Sequence, residues 1–303
     1  MQSWSLTNKK DLVKNIEKEN SITNKTQIMS RSLLIILFAT PLFSQSYFEP
    51  LQVRHTNAFK NNQYETSLFN TSEISSELPI KIKNNDYLLI SPFYGNTQIS
   101  LEDSNHQFPT IQSLRLPMGL ITQIGESKWS LTFLTVLSWN GEKLFTDDSF
   151  QFGTTLFTTF SKKTNKKIHF GIYANKEFFG WFVIPLVGLN WQLNDTNYIF
   201  GLLPGRLTFE HKWNTKLYSG LNFRSPMNSY RINDQQYITL YDNQFSLFLD
   251  YYLTKPICIT IEPGWSFFRK IRISTKENDY KVNETNRVDG PFIKLSAAYR
   301  FKL

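Results

Sequence analysis

Lys216-Leu217-Tyr218-Ser219-Gly220-Leu221-Asn222-Phe223-Arg224 alternates residue by residue, with Leu217, Leu221 and Phe223 on one side and Tyr218, Gly220, Asn222 and Arg224 on the other. A period of two belongs to a β-strand, whose successive side chains point to opposite faces. The same split recurs in Ile168-His169-Phe170-Gly171-Ile172-Tyr173-Ala174-Asn175, in Phe245 to Tyr251, in Ile257 to Phe267 and in Ile293 to Phe301. No segment after residue 46 carries a convincing helical period. From about residue 51 onward the chain reads as one series of antiparallel strands.

Short polar turns are expected at Lys83 to Asp86, Gly125 to Lys128, Ser161 to Lys167, Asn194 to Asn197, Asn214 to Lys216 and Thr254 to Pro256. Longer connections are expected at Glu102 to Gln112, Glu142 to Ser149, Lys176 to Gly180, Ser225 to Gln236 and Arg272 to Pro291. Alternating short and long connections mark a transmembrane meander, in which a tilted strand needs about 9 to 11 residues to cross the bilayer. Tyr87 to Leu101, Trp129 to Gly141, Tyr237 to Leu253 and Ile257 to Ile271 are all long enough, whereas sandwich strands are shorter. Aromatic residues gather at strand ends, among them Trp129, Trp139, Trp181, Trp191, Trp213, Trp265, Tyr299 and Phe301, where rings at the headgroup level would form girdles. The expectation is an all-β transmembrane barrel with an even number of strands, 12 to 14. Fourteen requires Leu51 to Lys60 as the first strand and a break of Tyr198 to His211 at Pro204-Gly205.

Ahead of the strands, Met29-Ser30-Arg31-Ser32 leads into the apolar run Leu33 to Phe43 and the small or polar cluster Ser44-Gln45-Ser46. That run is about half the ~20 residues of a membrane-spanning helix, and its flanks are those of a secretory signal. Residues 29–46 are therefore expected to be a cleaved signal, residues 1–28 a non-native upstream extension, and residues 47–303 the barrel domain. Without residues 1–46 the chain keeps 27 Lys and Arg against 22 Asp and Glu, a net charge of +5 rather than the +8 of all 303 residues. A surplus this small and this dispersed is no nucleic-acid footprint. The 41% hydrophobic and 16% aromatic content excludes a disordered chain, and the single Cys258 excludes an intrachain disulfide.

The signal, the meander of amphipathic strands, the segment Gly201-Leu202-Leu203-Pro204-Gly205-Arg206 and the closing strand Phe292 to Phe301 together resemble the uncharacterised outer-membrane β-barrel proteins of Gram-negative bacteria, a group of domains of unknown function. The resemblance implies an outer-membrane location, surrounding outer-membrane lipids and recognition by the barrel-insertion machinery. Barrels of this kind usually end on an aromatic residue, and here Phe301 is followed by Lys302-Leu303. The resemblance implies no catalytic residue.

The alternation aims Arg115, Arg206, Arg224, Lys294 and Arg300 inward, with Glu210, Asp250 and Glu262, and also the bulky Phe157, Phe248 and Phe268. On a lipid face a midplane Arg or Lys would cost about 2 to 4 kcal/mol. Inside, these charges form either a structural ion-pair network or the lining of a small pore that favours anions. Hydrolytic chemistry would need a serine placed by a histidine and an orienting partner. Among His55, His106, His169 and His211, His169 is the best placed, and neither His55 nor His106 has a serine at close spacing on its own strand. Metal-ligand and nucleotide motifs are absent, and no cofactor is expected. A small pore or solute channel is thus the first functional expectation. A structural or adhesion barrel acting through Ser225 to Gln236 and Arg272 to Pro291, and a barrel enzyme acting on envelope lipids, are the alternatives.

Overall fold

In the computed structural model, residues 47–59, 67–83, 86–101, 110–233, 236–274 and 283–302 are described. The expected signal and its upstream extension, and His106, lie outside them. The alternating segments pair into fourteen strands. They are β1 (Tyr47–Ala58), β2 (Ser67–Ser75 continued by Leu78–Lys83), β3 (Asp86–Ile90 and Phe93–Leu101), β4 (Ile111–Gln123), β5 (Trp129–Gly141), β6 (Phe150–Lys163) and β7 (Lys166–Glu177). The second half comprises β8 (Gly180–Gln192), β9 (Asn197–Leu203), β10 (Arg206–Lys212), β11 (Leu217–Arg224 and Met227–Asn233), β12 (Gln236–Tyr252), β13 (Ile257–Ser274) and β14 (Asn283–Arg287 and Gly290–Lys302). Each strand runs antiparallel to the next, and β14 closes on β1 from Lys302 opposite Tyr47 to Phe292 opposite Ala58. Closure leaves no free sheet edge around this lower ring, which is what a sheet in lipid requires.

Burial shows which solvent the outside faces. On β12, Leu247 is 59% exposed while Asp250 is 1% exposed, and every neighbour follows the same parity. Leucines outside and carboxylates inside invert the arrangement of a protein in water, and the outward apolar face recurs around the ring. Ten-residue spacings separate aromatic pairs on the outer face: Trp129 and Trp139 on β5, Phe150 and Phe160 on β6, Trp181 and Trp191 on β8. At about 3.3 Å per residue and a tilt of about 40°, ten residues climb about 25 Å, the height of a transmembrane apolar band. Trp129 meets Phe160 at 4.8 Å in the lower girdle, and Trp139 meets Phe150 at 5.3 Å in the upper one.

Both ends of the barrel, Tyr47 and Lys302, sit at the lower rim together with five of the expected short turns and with Lys83 and Asp86, which flank the sixth. At the upper rim the connections are unequal. Four are eight or nine residues long, but 178–179 and 204–205 are two-residue turns. The Lys176 to Gly180 connection is thus a tight turn rather than a bulky loop. Breaking at Pro204-Gly205 gives β9 and β10 only seven residues each, so the wall is low there.

That low wall shapes the top of the barrel. Above Arg224, β11 has no β10 beside it, and its edge amides and carbonyls must find other partners. After Ser225-Pro226 its second segment, Met227–Asn233, swings inward, still paired with β12, until Arg231 meets Gly141 at the top of β5. The Glu142 amide donates to the Arg231 carbonyl at 2.9 Å. A Cβ on Gly141 would lie 2.7 Å from that carbonyl oxygen, so only glycine permits the approach. Ser225 to Gln236, expected to be an exposed loop, is instead largely an arm folded across the upper lumen. Tyr230 and Ile232 of the arm join Phe69, Ile99, Ile111 and Phe292 from the surrounding wall in an apolar cluster that roofs the interior. Phe268 also departs from expectation. A register shift between β12 and β13 leaves it as an extra residue at φ 51°, 58% exposed on the outside.

Candidate functional site

Below the apolar roof lies a chamber of about 460 Å³. Ala58, Phe69, Tyr230 and Leu240 form its ceiling, while seven cationic side chains and four carboxylates contribute to its walls. The strand parity that turns leucines to lipid delivers these charges inward from β1, β2, β4 and β10 to β14.

The carboxylates are largely engaged. Glu73 takes Arg54 at 3.1 Å, Asp242 takes Arg269 at 3.2 Å, and Glu49 takes Arg300 at 2.7 Å. Arg115, Arg206 and Arg224 form no ion pair among the described residues. Arg115 lies over the Phe93 ring at 4.0 Å with its Nε buried and unpartnered, and the Arg224 Nε is likewise buried without an acceptor. Arg206 donates to the Tyr47 hydroxyl at 2.8 Å and to Thr208 at 3.1 Å, both neutral groups. Three guanidinium groups therefore face the chamber with no carboxylate at ion-pair distance among the described residues, although Glu49, Glu73 and Glu262 lie near enough to act on them through space.

The other inward charges lie beside and beneath it. Lys294 pairs with Glu262 at 3.2 Å, and Glu262 also accepts from Asn222 at 2.9 Å. Arg300 bridges Glu49 and Asp250, and Lys302 holds Glu210 through both oxygens at 2.7 Å. Among Tyr47, Asn222, Phe248, Asp250 and Arg300 only about 20 Å³ remains, so the ion pairs and rings fill this lower side. Buried pairs of this kind hold the wall but contribute no free charge.

Opposite the chamber, the outer side of the arm meets β6 and β7. The Glu177 carboxylate accepts the Ser229 amide at 3.1 Å and the Ser229 hydroxyl, Gln151 Nε2 at 3.1 Å, and Asn175 Nδ2 at 2.7 Å. The Phe178 amide donates to the Ser229 hydroxyl at 3.1 Å. Gln151, Glu177 and Ser229 were not among the residues singled out from the sequence. In the alternation they are ordinary inward polar residues, and only the path of the arm joins them.

His169 is fully buried, bonded through Nδ1 to Thr159 at 2.8 Å and set edge-on to Phe157 at 6.0 Å. It has no serine hydrogen bond and no ion pair among the described residues. His211 faces outward, 2.8 Å from Asn197 and against Trp213. His55 has no serine near it on its own strand, as expected, but finds one across the sheet. Its Nδ1 lies 2.9 Å from Ser72 Oγ on the neighbouring strand, and its Nε2 lies 3.2 Å from Asn57 Oδ1, all on the outer face. Same-strand spacing could not reveal this, because the serine comes from β2. No cluster of three metal-ligating side chains occurs among the described residues.

A closed fourteen-stranded antiparallel ring, apolar and girdled outside and charged within, defines an integral membrane β-barrel. No protein-family model matches the chain, and no curated protein sequence does. Among solved structures it is similar to an outer membrane channel from Pseudomonas putida F1, at 7% identity and a TM-score of 0.46 over 84% of this chain and 95% of that one. It is also similar to the NanC porin, at 7% identity and 0.39 over 84% and 100%, and to the TodX monoaromatic hydrocarbon channel, at 10% identity and 0.38 over 85% and 90%.

Proposed function

We propose that this barrel is an outer-membrane channel for small polar solutes, exported by removal of residues 29–46, embedded in outer-membrane lipids and delivered by the barrel-insertion machinery. The observation that carries the reading is the chamber in which Arg115, Arg206 and Arg224 form no direct ion pair. Fixed positive charge in a narrow, low-dielectric passage raises the local concentration of anions and excludes cations. Selectivity for anions follows. In planar bilayers under a salt gradient, the reversal potential should lie on the anion side and move toward zero in Arg115→Ala and Arg206→Ala. A barrel that never conducts at any voltage would overturn the reading.

A second reading has one specific observation behind it. Ser72, His55 and Asn57 form a hydrogen-bonded chain of nucleophile, base and orienting amide on the face turned to lipid, the arrangement a hydrolase of envelope acyl esters would need. Covalent labelling of the folded barrel by a serine-directed fluorophosphonate, abolished in Ser72→Ala, would support it. An unlabelled barrel would leave the three residues as polar groups satisfying one another on the outer wall.

A further inference from the structure

We propose that the chamber binds an amphipathic organic anion, a carboxylate or similar headgroup on a compact apolar body. The proposal rests on the channel reading for the chamber's place on a solute path, and goes beyond it by naming the chemistry of the solute.

The chamber has two poles. Its walls present Arg115, Arg206 and Arg224, and a guanidinium offers paired N–H donors that match the two oxygens of a carboxylate. The Nε atoms of Arg115 and Arg224 are buried donors with nothing to donate to, and a buried donor left unmade is a standing cost that an arriving anion removes. Glu49, Glu73 and Asp242 do not serve, because each is already held by Arg300, Arg54 or Arg269.

The ceiling has the opposite character. Phe69, Tyr230, Leu240 and Ala58 present rings and aliphatic carbon to the same space. An inorganic anion would satisfy the arginines and leave this ceiling facing water. A neutral hydrocarbon would cover the ceiling and leave the guanidinium groups desolvated and unpaired. Only a molecule with both parts satisfies both poles, and about 460 Å³ lies within the roughly 300 to 1,000 Å³ of sites for small organic ligands.

Benzoate carries both parts, acetate lacks the apolar body, and benzamide lacks the charge. Calorimetric titration of the full barrel in detergent, with empty micelles as blank, should show saturable benzoate binding, with acetate and benzamide weaker by about tenfold or more. Arg115→Gln and Arg224→Gln should each weaken benzoate by about tenfold without bringing acetate and benzamide closer to one another, and Leu240→Ser should weaken benzoate while sparing acetate. Lys162→Gln, at the exposed lower end of β6, should change nothing. Heat-modifiable gel mobility identifies variants that have folded, and Arg224→Lys, which keeps the charge, should retain part of the affinity. Acetate binding as tightly as benzoate would overturn the apolar half of the proposal, and benzamide binding as tightly would overturn the anionic half. No benzoate binding by a barrel that conducts anions would sink this proposal and leave the channel standing. Saturable, arginine-dependent binding by a barrel that never conducts would sink the channel and leave the site.

Discussion

If the inward arm is the closed position of a gate, the decisive perturbation is Glu177→Ala. Glu177 is 5% exposed and its carboxylate accepts four hydrogen bonds, two of them from Ser229 on the arm. Alanine leaves the Ser229 amide and a Gln151 amide proton facing a dry gap. At about 1 to 3 kcal/mol for each buried donor so orphaned, the docked arm loses about 2 to 6 kcal/mol. A loss of ~3 kcal/mol raises the ratio of undocked to docked arm by about 150-fold. Glu177→Gln should be mild. Its oxygen can stay toward Ser229 and Gln151 while its new NH₂ faces Asn175, whose Oδ1 lacks a partner and can accept once that amide turns over. Single-channel recording is the assay. Undocking withdraws Tyr230 and Ile232 from the roof, so Glu177→Ala should show a larger share of time in a high-conductance state, and Glu177→Gln only a small increase. Gly141→Val, which drives a Cβ into the Arg231 carbonyl, should resemble the alanine variant. Wild-type dwell times in Glu177→Ala, or equal effects of alanine and glutamine, would refute Glu177 as the group that holds the arm in place.

Two further predictions concern the wall. Arg300 is 3% exposed between Glu49 and Asp250, so Arg300→Leu strands two buried carboxylates and should destabilise the barrel by about 3 to 5 kcal/mol, seen as a lower midpoint in heat-modifiable mobility. Leu247 is 59% exposed, and Leu247→Arg should cost about 2 to 4 kcal/mol if that face meets lipid, against within about 0.5 kcal/mol on a surface facing water. A neutral Leu247→Arg measured in lipid vesicles would contradict the membrane reading at that position.

Much of the wall is legible in the sequence because barrel strands are specified locally. Parity alone assigns Phe245, Leu247 and Leu249 to one face, and turn composition alone locates Asn194 to Asn197, where Asn194 Oδ1 accepts the Asn197 amide at 2.8 Å. The arm was not legible for a physical reason. Asn228-Ser229-Tyr230-Arg231-Ile232 alternates, but its polar side is satisfied by Gln151 and Glu177 from strands far along the chain, and a polar stretch after Ser225-Pro226 has the composition of a loop. Parity aims Phe268 inward only until the bulge, where one extra residue reverses every face beyond it. In the chamber, sequence gives charges but not pairings. Nothing in the local pattern distinguishes Arg54, neutralised by Glu73 across β1 and β2, from Arg224, which has no such partner.

The low stretch of wall also explains the path of the arm. At β9 and β10, seven residues each and joined by the Pro204-Gly205 turn, the wall ends early and abandons the upper edge of β11, and an abandoned edge in or near lipid is costly. Folding that edge inward onto Gly141 and Glu142 satisfies its hydrogen bonds and at the same time roofs the lumen. The roof is therefore a consequence of the low wall. Lengthening β9 and β10 until they pair with Met227–Asn233 would remove the reason for the arm to turn in, and with it the ceiling over the arginines.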